Sequence, residues 1–237
     1  MKNLTTLLLL FASIISFSQG LTGNELLEKA IQFHDPNNNW STFKGNLFVT
    51  METPKNSDRK SNIKINLPKE LFSVVAIRDS IITEFILDKG ACSFSLNADK
   101  NPSEETKKKY NLNCERVKML KDYYTYLYGL PMKLKDKGTI IDQKVAKKTF
   151  QGKEYLVLKV TYSKEVGKDT WYFYFDPKSY AMEVYQFFKD ESRNDGEYIL
   201  LSGLETINDI KMPKSRGWYY NKNSKYLGTD ILSTEDQ

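Results

Sequence analysis

The chain has 237 residues, with 35 lysine and arginine residues against 30 aspartate and glutamate residues, 40% hydrophobic residues and 27% charged residues. This composition excludes a disordered chain, because the apolar and aromatic content is too high, and two cysteines are too few for a disulfide-dominated scaffold. The length suits one domain, or at most two, with a sizeable core. The single histidine, His34, excludes most histidine-dependent chemistry.

The first eighteen residues predict a cleavable export signal. Lys2 precedes an apolar, leucine-rich run, and the small residues Ser16 and Ser18 occupy the −3 and −1 positions of a cleavage site. A membrane anchor is the alternative, but the apolar part is short for a membrane span. We therefore expect cleavage near Ser18 and a periplasmic or secreted mature protein, residues 19–237, that forms a single domain without a transmembrane segment.

Export changes the interpretation of the two cysteines. In an oxidising compartment we expect Cys92 and Cys114 to form a disulfide, whereas two buried free thiols are the alternative. The segment between them, residues 97–113, is polar and rich in charge, so burial would not hold it in place. A crosslink that closes this loop would contribute about 3 kcal/mol to stability. The wide spacing argues against a redox-active pair.

The mature chain starts with a predicted helix followed by hairpins. Thr22 and Glu25 form a capping box, and Asp35-Pro36 ends the helix. After Trp40 the apolar period changes from about four to two, which predicts strands. The alternating segments in this half of the chain are residues 43–51, 62–67, 71–77, 81–87 and 91–96.

The middle of the chain is predicted to be helical, near residues 103–129. Asn113 caps the longer helix of this insertion, and Gly129 and Pro131 end it. Strand periodicity then returns and continues to the C-terminus. The predicted C-terminal strands are residues 156–161, 171–175, 182–188, 198–204, 210–212, 218–220 and 226–232.

These elements predict a mainly β protein of the α+β class. About eleven strands are joined by turns too short for parallel crossovers, so the sheet is expected to be antiparallel. Aromatic residues occupy both faces of several C-terminal strands, and an open flat sheet would expose one of these rows. We therefore predict a curled, half-open β-barrel that is capped by the N-terminal helix and by the helical insertion.

Four stretches carry a resemblance to known proteins: residues 33–36 (Phe-His-Asp-Pro), 123–132, 168–180 and 195–201. They are similar to an uncharacterised family of secreted proteins from Gram-negative bacteria, and the similarity covers nearly the whole mature chain. The order of elements also resembles that of the LolA/LolB-type carriers of outer-membrane lipoproteins. What these carriers imply is a curved sheet around an apolar cavity that shields acyl chains. Their ligand residues do not map position by position, so none is transferred.

No catalytic or metal-binding pattern stands out in the sequence. His34 lies at the end of a helix, where it can interact with the helix dipole, and no nucleophile motif accompanies it. The acidic segment 190–197 is interpreted as a solvated turn, with ion binding as the alternative. An acid–base hydrolase that uses Asp190, Glu191 or Asp195 is a third hypothesis that lacks the geometry such an enzyme needs. We therefore expect no enzymatic activity, no metal and no cofactor.

The segment 100–148 is strongly basic, with thirteen basic and six acidic residues. Tyrosines alternate with these charges, a pattern that nucleic-acid-binding proteins also show, but export argues against a nucleic-acid partner. The remaining interpretations are a surface that docks an acidic partner of the cell envelope and an ordinary solvated surface.

The aromatic content, 15 tyrosines, 13 phenylalanines and 3 tryptophans, suits the interior of a half-barrel. The leading hypothesis is a binding or carrier protein that shelters an apolar acyl or lipid ligand in this interior without catalysis. The alternative is an envelope interaction protein with a solid interior that docks its partner through the basic segment. The residues predicted to line the cavity are Leu47, Val49, Ile63, Ile65, Tyr124, Leu156, Leu158, Trp171 and Phe173.

Overall fold

The first described element is the N-terminal helix α1, Gly23–His34, in a computed structural model that describes residues 20–234. The predicted capping box is confirmed: Thr22 Oγ1 accepts from the Glu25 amide at 3.3 Å, and Glu25 Oε2 accepts from the Thr22 amide at 2.8 Å. The helix ends directly before Asp35-Pro36, because proline cannot continue it. The predicted export signal lies outside the described residues.

Thirteen strands make up a single antiparallel sheet in the described part of the chain. In chain order they are β1 Lys44–Thr53, β2 Asn56–Asn66, β3 Leu71–Arg78, β4 Ile81–Asp88, β5 Ala91–Leu96, β6 Thr139–Ile141, β7 Ala146–Phe150, β8 Lys153–Tyr162, β9 Thr170–Phe175, β10 Met182–Phe188, β11 Glu197–Ile207, β12 Ile210–Tyr220 and β13 Tyr226–Ser233.

The order of strands in the sheet joins two meanders. It runs β5-β4-β3-β2-β1-β13-β12-β11-β10-β9-β8-β6, and β7 pairs with β8 beside β6. Pairing of β1 with β13, for example Val49 opposite Leu232, connects the first meander to the last. The edge strand β5 does not pair with β6 or β7, so the barrel stays open. The predicted curled, half-open antiparallel architecture is confirmed.

The thirteen strands differ from the twelve segments that the sequence analysis marks as strands, a number given there as about eleven, for local reasons. β6 and β7 were not predicted, because they are short and most of their residues are at least partly exposed, which leaves no clear alternation. Residues 210–212 and 218–220 were predicted as separate strands but belong to the continuous strand β12. Pro213 interrupts the sequence pattern there, although it pairs opposite Leu204 in the sheet.

The helical insertion consists of α2, Glu104–Tyr110, and α3, Cys114–Gly129, as the sequence predicts. Asn113 caps α3 by accepting a hydrogen bond from the Arg116 amide at 2.7 Å. α3 ends at Gly129, where an added Cβ atom would lie 2.3 Å from the Trp40 ring. A glycine therefore allows the helix to end in contact with the indole.

We call the face of the sheet that contacts α1 and α3 the inner face. The main hydrophobic core lies between this face and the two helices, and it includes Phe173 and, at its margin, Trp171. The alternate residues Tyr172 and Tyr174 point outward into a second aromatic cluster with Phe150. The two aromatic rows are thus buried in different ways: helices cover the inner row, whereas the outer side chains shield one another.

Candidate functional site

All nine residues predicted to line a cavity lie on the inner side of the half-barrel. Most are buried in the main core under α3, and Leu156 and Trp171 are partly exposed at its margin. Tyr124 projects from α3 and stacks on Phe72 with ring centres 6.3 Å apart. The helix therefore fills much of the concave space that the sequence analysis assigned to a ligand.

One cavity of about 550 Å³ opens beside α3. Trp171 lines it together with Tyr126 of α3 and Tyr162 of β8, and the centre of the Trp171 ring system lies 5.7 Å from that of the Tyr126 ring. Charged side chains surround these aromatic rings. They are Asp122, Lys133, Asp136, Lys137, Glu165, Lys168 and Asp169. The cavity thus combines an aromatic floor with a charged rim.

Tyr126 and Tyr162 join α3 to the sheet at this cavity. Their hydroxyl oxygens are 2.5 Å apart. Burial raises the pKa of Tyr126 well above its usual value and that of Tyr162 to about 12, so both phenols are neutral at physiological pH. The floor of the cavity therefore offers neutral aromatic surface with hydroxyl groups and carries no charge of its own.

A second cavity, of about 370 Å³, lies between α3 and the strands β3 and β4. Ile65, Phe72 and Leu87 contribute apolar surface to it, and Lys121 of α3 lies at its border. Thr125 lines both cavities, so α3 separates them. Among the nine predicted residues, Trp171 lines the first cavity and Ile65 lines the second.

His34 joins α1 to two strands of the sheet. Its Nε2 atom accepts a hydrogen bond from the Met182 amide at 3.0 Å, so Nδ1 carries the proton and donates to the Lys211 carbonyl at 2.6 Å. Burial is the main cause that lowers the pKa of His34 to about 4. Both ring nitrogens are thus engaged with backbone groups inside the core, which is a structural role.

The carboxylates of the acidic turn are occupied in local contacts. Asp195 accepts hydrogen bonds from the Lys189 and Asp190 amides, and Asp190 accepts from the amide and hydroxyl of Ser192. Glu191 pairs with Lys159 on the neighbouring surface at 3.3 Å. These contacts form a turn, and no group of three or more potential metal ligands occurs within residues 20–234.

The basic segment 100–148 is spread over α2, α3 and the strands that follow. Several of its lysines lie in ion pairs: Lys107 with Glu104, Lys121 with Asp122, Lys133 with Asp136 and Lys135 with Glu28. Four of the thirteen basic residues of the segment are therefore paired with acids, and the segment as a whole stays basic.

The two cysteines link the insertion to the sheet. The structure joins Cys92 of β5 to Cys114, the first residue of α3, in a disulfide with the Cα atoms 5.7 Å apart. This bond attaches the start of α3 to an edge strand. No helix within residues 20–234 combines the length and the apolar character needed to cross a bilayer.

An open antiparallel sheet that curls around an inner helix defines a half-barrel of the LolA-like type. The chain belongs to the family of unknown function DUF6503, whose model matches residues 3–235. No curated protein matches the sequence.

The chain is similar to several solved structures, and the first of those named here shares its fold. A LolA superfamily protein from Nitrosomonas europaea is 11% identical over 92% of this chain and 95% of that chain, with a TM-score of 0.53. A putative outer membrane lipoprotein-sorting protein domain from Vibrio parahaemolyticus is 12% identical over 90% of each chain, with a TM-score of 0.49. A DUF1329 family protein from Desulfovibrio piger is 9% identical over 89% of this chain and 91% of that chain, also at 0.49. The predicted resemblance in family and architecture is confirmed.

Of the residues that line the first cavity, the sequence predicted only Trp171, and it missed the other two aromatic residues of the floor, Tyr126 and Tyr162. Tyr126 lies in the predicted helical insertion, and Tyr162 directly follows the predicted strand 156–161. The signal that pairs them is absent from the sequence, because one lies on α3 and the other at the end of β8, 36 residues further along the chain.

Proposed function

We propose that this protein is a non-catalytic binding or carrier protein for an apolar acyl ligand. The observation that carries the proposal is the cavity of about 550 Å³ beside α3, whose aromatic floor continues into the apolar core of an open half-barrel. The fold that it shares with a LolA superfamily protein supports the same class of function. Burial of hydrocarbon would drive binding, with no covalent step.

The chemistry of the cavity suits one end of an amphiphile. Trp171, Tyr126 and Tyr162 offer apolar ring surface for methylene groups, and the charged rim remains in contact with water. Each buried methylene contributes about 0.8 kcal/mol, so ten methylenes would contribute roughly 8 kcal/mol before the entropic cost of ordering the chain. This is enough for a reversible complex.

A direct test is titration of the purified protein with a fluorescent fatty acid, followed by displacement with the neutral alcohol tetradecanol. We expect saturable binding and displacement, because the apolar chain supplies the affinity. Absence of saturable binding by the probe would contradict the proposal.

Two neighbouring residues of β9 provide a matched pair of variants. Trp171 lines the cavity, whereas Tyr172 points to the outer face. Trp171→Arg is expected to weaken binding at least tenfold, because it places a charge on the aromatic floor, and Tyr172→Arg is expected to leave the affinity within twofold. Val166→Trp, at an exposed position of the rim, offers a second variant that narrows the entrance without disturbing the core.

We also infer that the protein acts outside the cytoplasm. The apolar run with Ser16 and Ser18 in the cleavage positions supports this inference. N-terminal sequencing of the protein from its native source should find a mature chain that starts near residue 19. A mature protein that retains Met1 or Lys2 would contradict it.

A further inference from the structure

Arginine is rare in this chain and is concentrated on the inner side of the half-barrel. The sequence has thirty lysines and only five arginines. Four of the arginines lie on the inner face or on the side of α3 that covers it, and we call this group the arginine cluster. Its members are Arg59, Arg78, Arg116 and Arg216.

Strand pairing places two cluster members and one acid in a single row. Arg216 of β12 pairs opposite Asp230 of β13, Asp230 pairs opposite Met51 of β1, and Met51 pairs opposite Arg59 of β2. Directly opposite residues in a sheet project to the same face. Arg78 ends β3, in alternation with the buried residues Phe72 and Val74 of the inner face.

Helix α3 packs over this row with its tyrosines. Arg59 Nη2 donates to the Tyr124 hydroxyl at 3.3 Å. The guanidinium of Arg216 lies 4.2 Å from the centre of the Tyr128 ring and donates to the carbonyls of Pro213 and Leu127 at 2.9 and 3.4 Å. Arg216 is only 1% exposed, so it is a buried cation held mainly by neutral groups.

The positive charge of the cluster exceeds the negative charge on the inner side. The acid next to the cluster is Asp230, which accepts a hydrogen bond from Trp218 Nε1 at 3.0 Å and interacts electrostatically with Arg216 and Arg59. Within residues 20–234 none of the four arginines has a carboxylate in an ion pair. Arg116 faces Arg59, and burial together with this like charge lowers the pKa of Arg116. Cations brought together in this way are stabilised by an anion between them.

Three buried donors of the arginine cluster lack a hydrogen-bond partner in the described part of the structure. They are the Nε atoms of Arg59, Arg78 and Arg216. Two further polar atoms of the inner side, the hydroxyl of Tyr185 and Oγ of Ser61, lie beside Arg216 and Tyr124. Buried donors of native proteins normally have a partner in the protein, in water or in a ligand.

We propose that the arginine cluster binds the oxyanion head of the ligand, so that the cargo is an acyl amphiphile with a carboxylate or phosphate group. This inference rests on the proposed carrier function and specifies its ligand class. None of the four arginines lines the cavity at Trp171, and Tyr185 connects the two regions: its ring centre lies 6.2 Å from that of Trp171, and Arg216 lies beside its hydroxyl. Arg59 and Arg116 are partly exposed, so the head group reaches the cluster from solvent at the side of α3. The planar guanidinium fork matches both oxyanions, which explains why arginine and not lysine occupies these positions.

The test compares ligands that share a tetradecyl chain and differ in the head: tetradecanol, tetradecanoic acid and tetradecyl phosphate. Competition against the fluorescent fatty acid gives the affinity of each for the full mature protein. Hydrogen bonds to charged groups contribute about 1.5–3 kcal/mol, so at least one acidic ligand should bind about 10- to 100-fold more tightly than the alcohol. The tighter of the two acidic ligands then identifies the head group as a carboxylate or a phosphate.

The matched variants are Arg59→Gln and Arg116→Gln, with Arg193→Gln as control, because Arg193 is the fifth arginine and lies in an exposed turn. The first two should lose most of the acid preference while the affinity for tetradecanol stays within twofold. Arg193→Gln should keep both. Arg59→Lys and Arg116→Lys, which retain charge without the fork, should show an intermediate preference, and melting curves verify that each variant is folded.

The outcomes separate the two proposals. Two results would overturn the head-group proposal and leave the carrier function in place. One is that the wild-type protein binds the acids and the alcohol with equal affinity, and the other is that the preference for the acids survives Arg59→Gln and Arg116→Gln. If the alcohol and the acids all fail to bind, the carrier function itself is wrong.

Discussion

A buried neutral histidine joins three elements of this fold. His34 has no exposed surface, and its two ring nitrogens are hydrogen-bonded to backbone groups of β10 and β12. Protonation would remove the acceptor that Met182 needs and would place a charge near Lys211 and Arg216, which also disfavour it. The fold therefore depends on the neutral form of the imidazole.

His34 makes the stability of the protein dependent on pH. Its pKa is lowered from 6.5 to about 4 in the folded state, so the unfolded chain takes up the proton first as the pH falls. The contribution of His34 is fully present above pH 6.5 and is lost progressively between pH 6.5 and 4. We expect the free energy of unfolding, measured in urea, to be about 2 kcal/mol lower at pH 5.0 than at pH 7.5 from this group alone.

The control for this prediction is His34→Gln. The variant should be less stable than the wild type at pH 7.5. Its free energy of unfolding should not show the decrease that His34 causes between pH 7.5 and 5.0, since the other titrating groups are common to both proteins. Equal changes between pH 7.5 and 5.0 in the two proteins would show that His34 does not titrate as described.

At the scale of single elements, α3 decides how much of the half-barrel interior is filled. It packs in the concave space, separates two cavities and covers the arginine cluster. Its two ends are attached differently: the disulfide holds Cys114 to β5, and Gly129 lies against Trp40. The position of this helix thus depends on contacts at both ends.

Removal of the disulfide should destabilise the protein by about 3 kcal/mol, because the bond closes a loop with a sequence separation of 22 and restricts the unfolded chain. The comparison is between the oxidised wild type and the double variant Cys92→Ala/Cys114→Ala in urea unfolding. A reducing agent should lower the stability of the wild type and have no effect on the variant. If the wild type is equally stable with and without the reducing agent, the prediction is wrong.

At the scale of the whole molecule, the pairing of β1 with β13 makes one sheet of two meanders. One hydrophobic core spans both meanders. Trp40 belongs to it, and the partly buried Trp171 and Trp218 pack against it. We therefore expect residues 19–237 to unfold as a single domain.

This expectation is tested by comparing two probes of the same denaturation. Far-ultraviolet circular dichroism reports on the sheet, and tryptophan fluorescence reports on Trp40, Trp171 and Trp218 in separate parts of the core. The two curves should coincide in a single transition. Two separate transitions would show that the meanders fold independently.

The sequence by itself determined the local features of this protein. These features arise from interactions within a few residues, which a sequence displays directly. They are the capping box at Thr22, the end of α1 before Pro36, the cap of α3 at Asn113 and most hairpins. Alternation also showed that Leu47 and Val49 share a face. It failed for β6 and β7, because exposed edge strands need no apolar alternation.

Only the tertiary structure decided which strands are neighbours and where α3 lies. Arg59 and Arg216 lie outside the predicted strands, and only the pairing of β1 with β13 brings these residues, 157 positions apart in sequence, into one row. The helix then brings Arg116 and Tyr124 over that row and leaves a cavity at Trp171. Contacts of this kind arise from the packing of distant segments, and no short stretch of sequence specifies them.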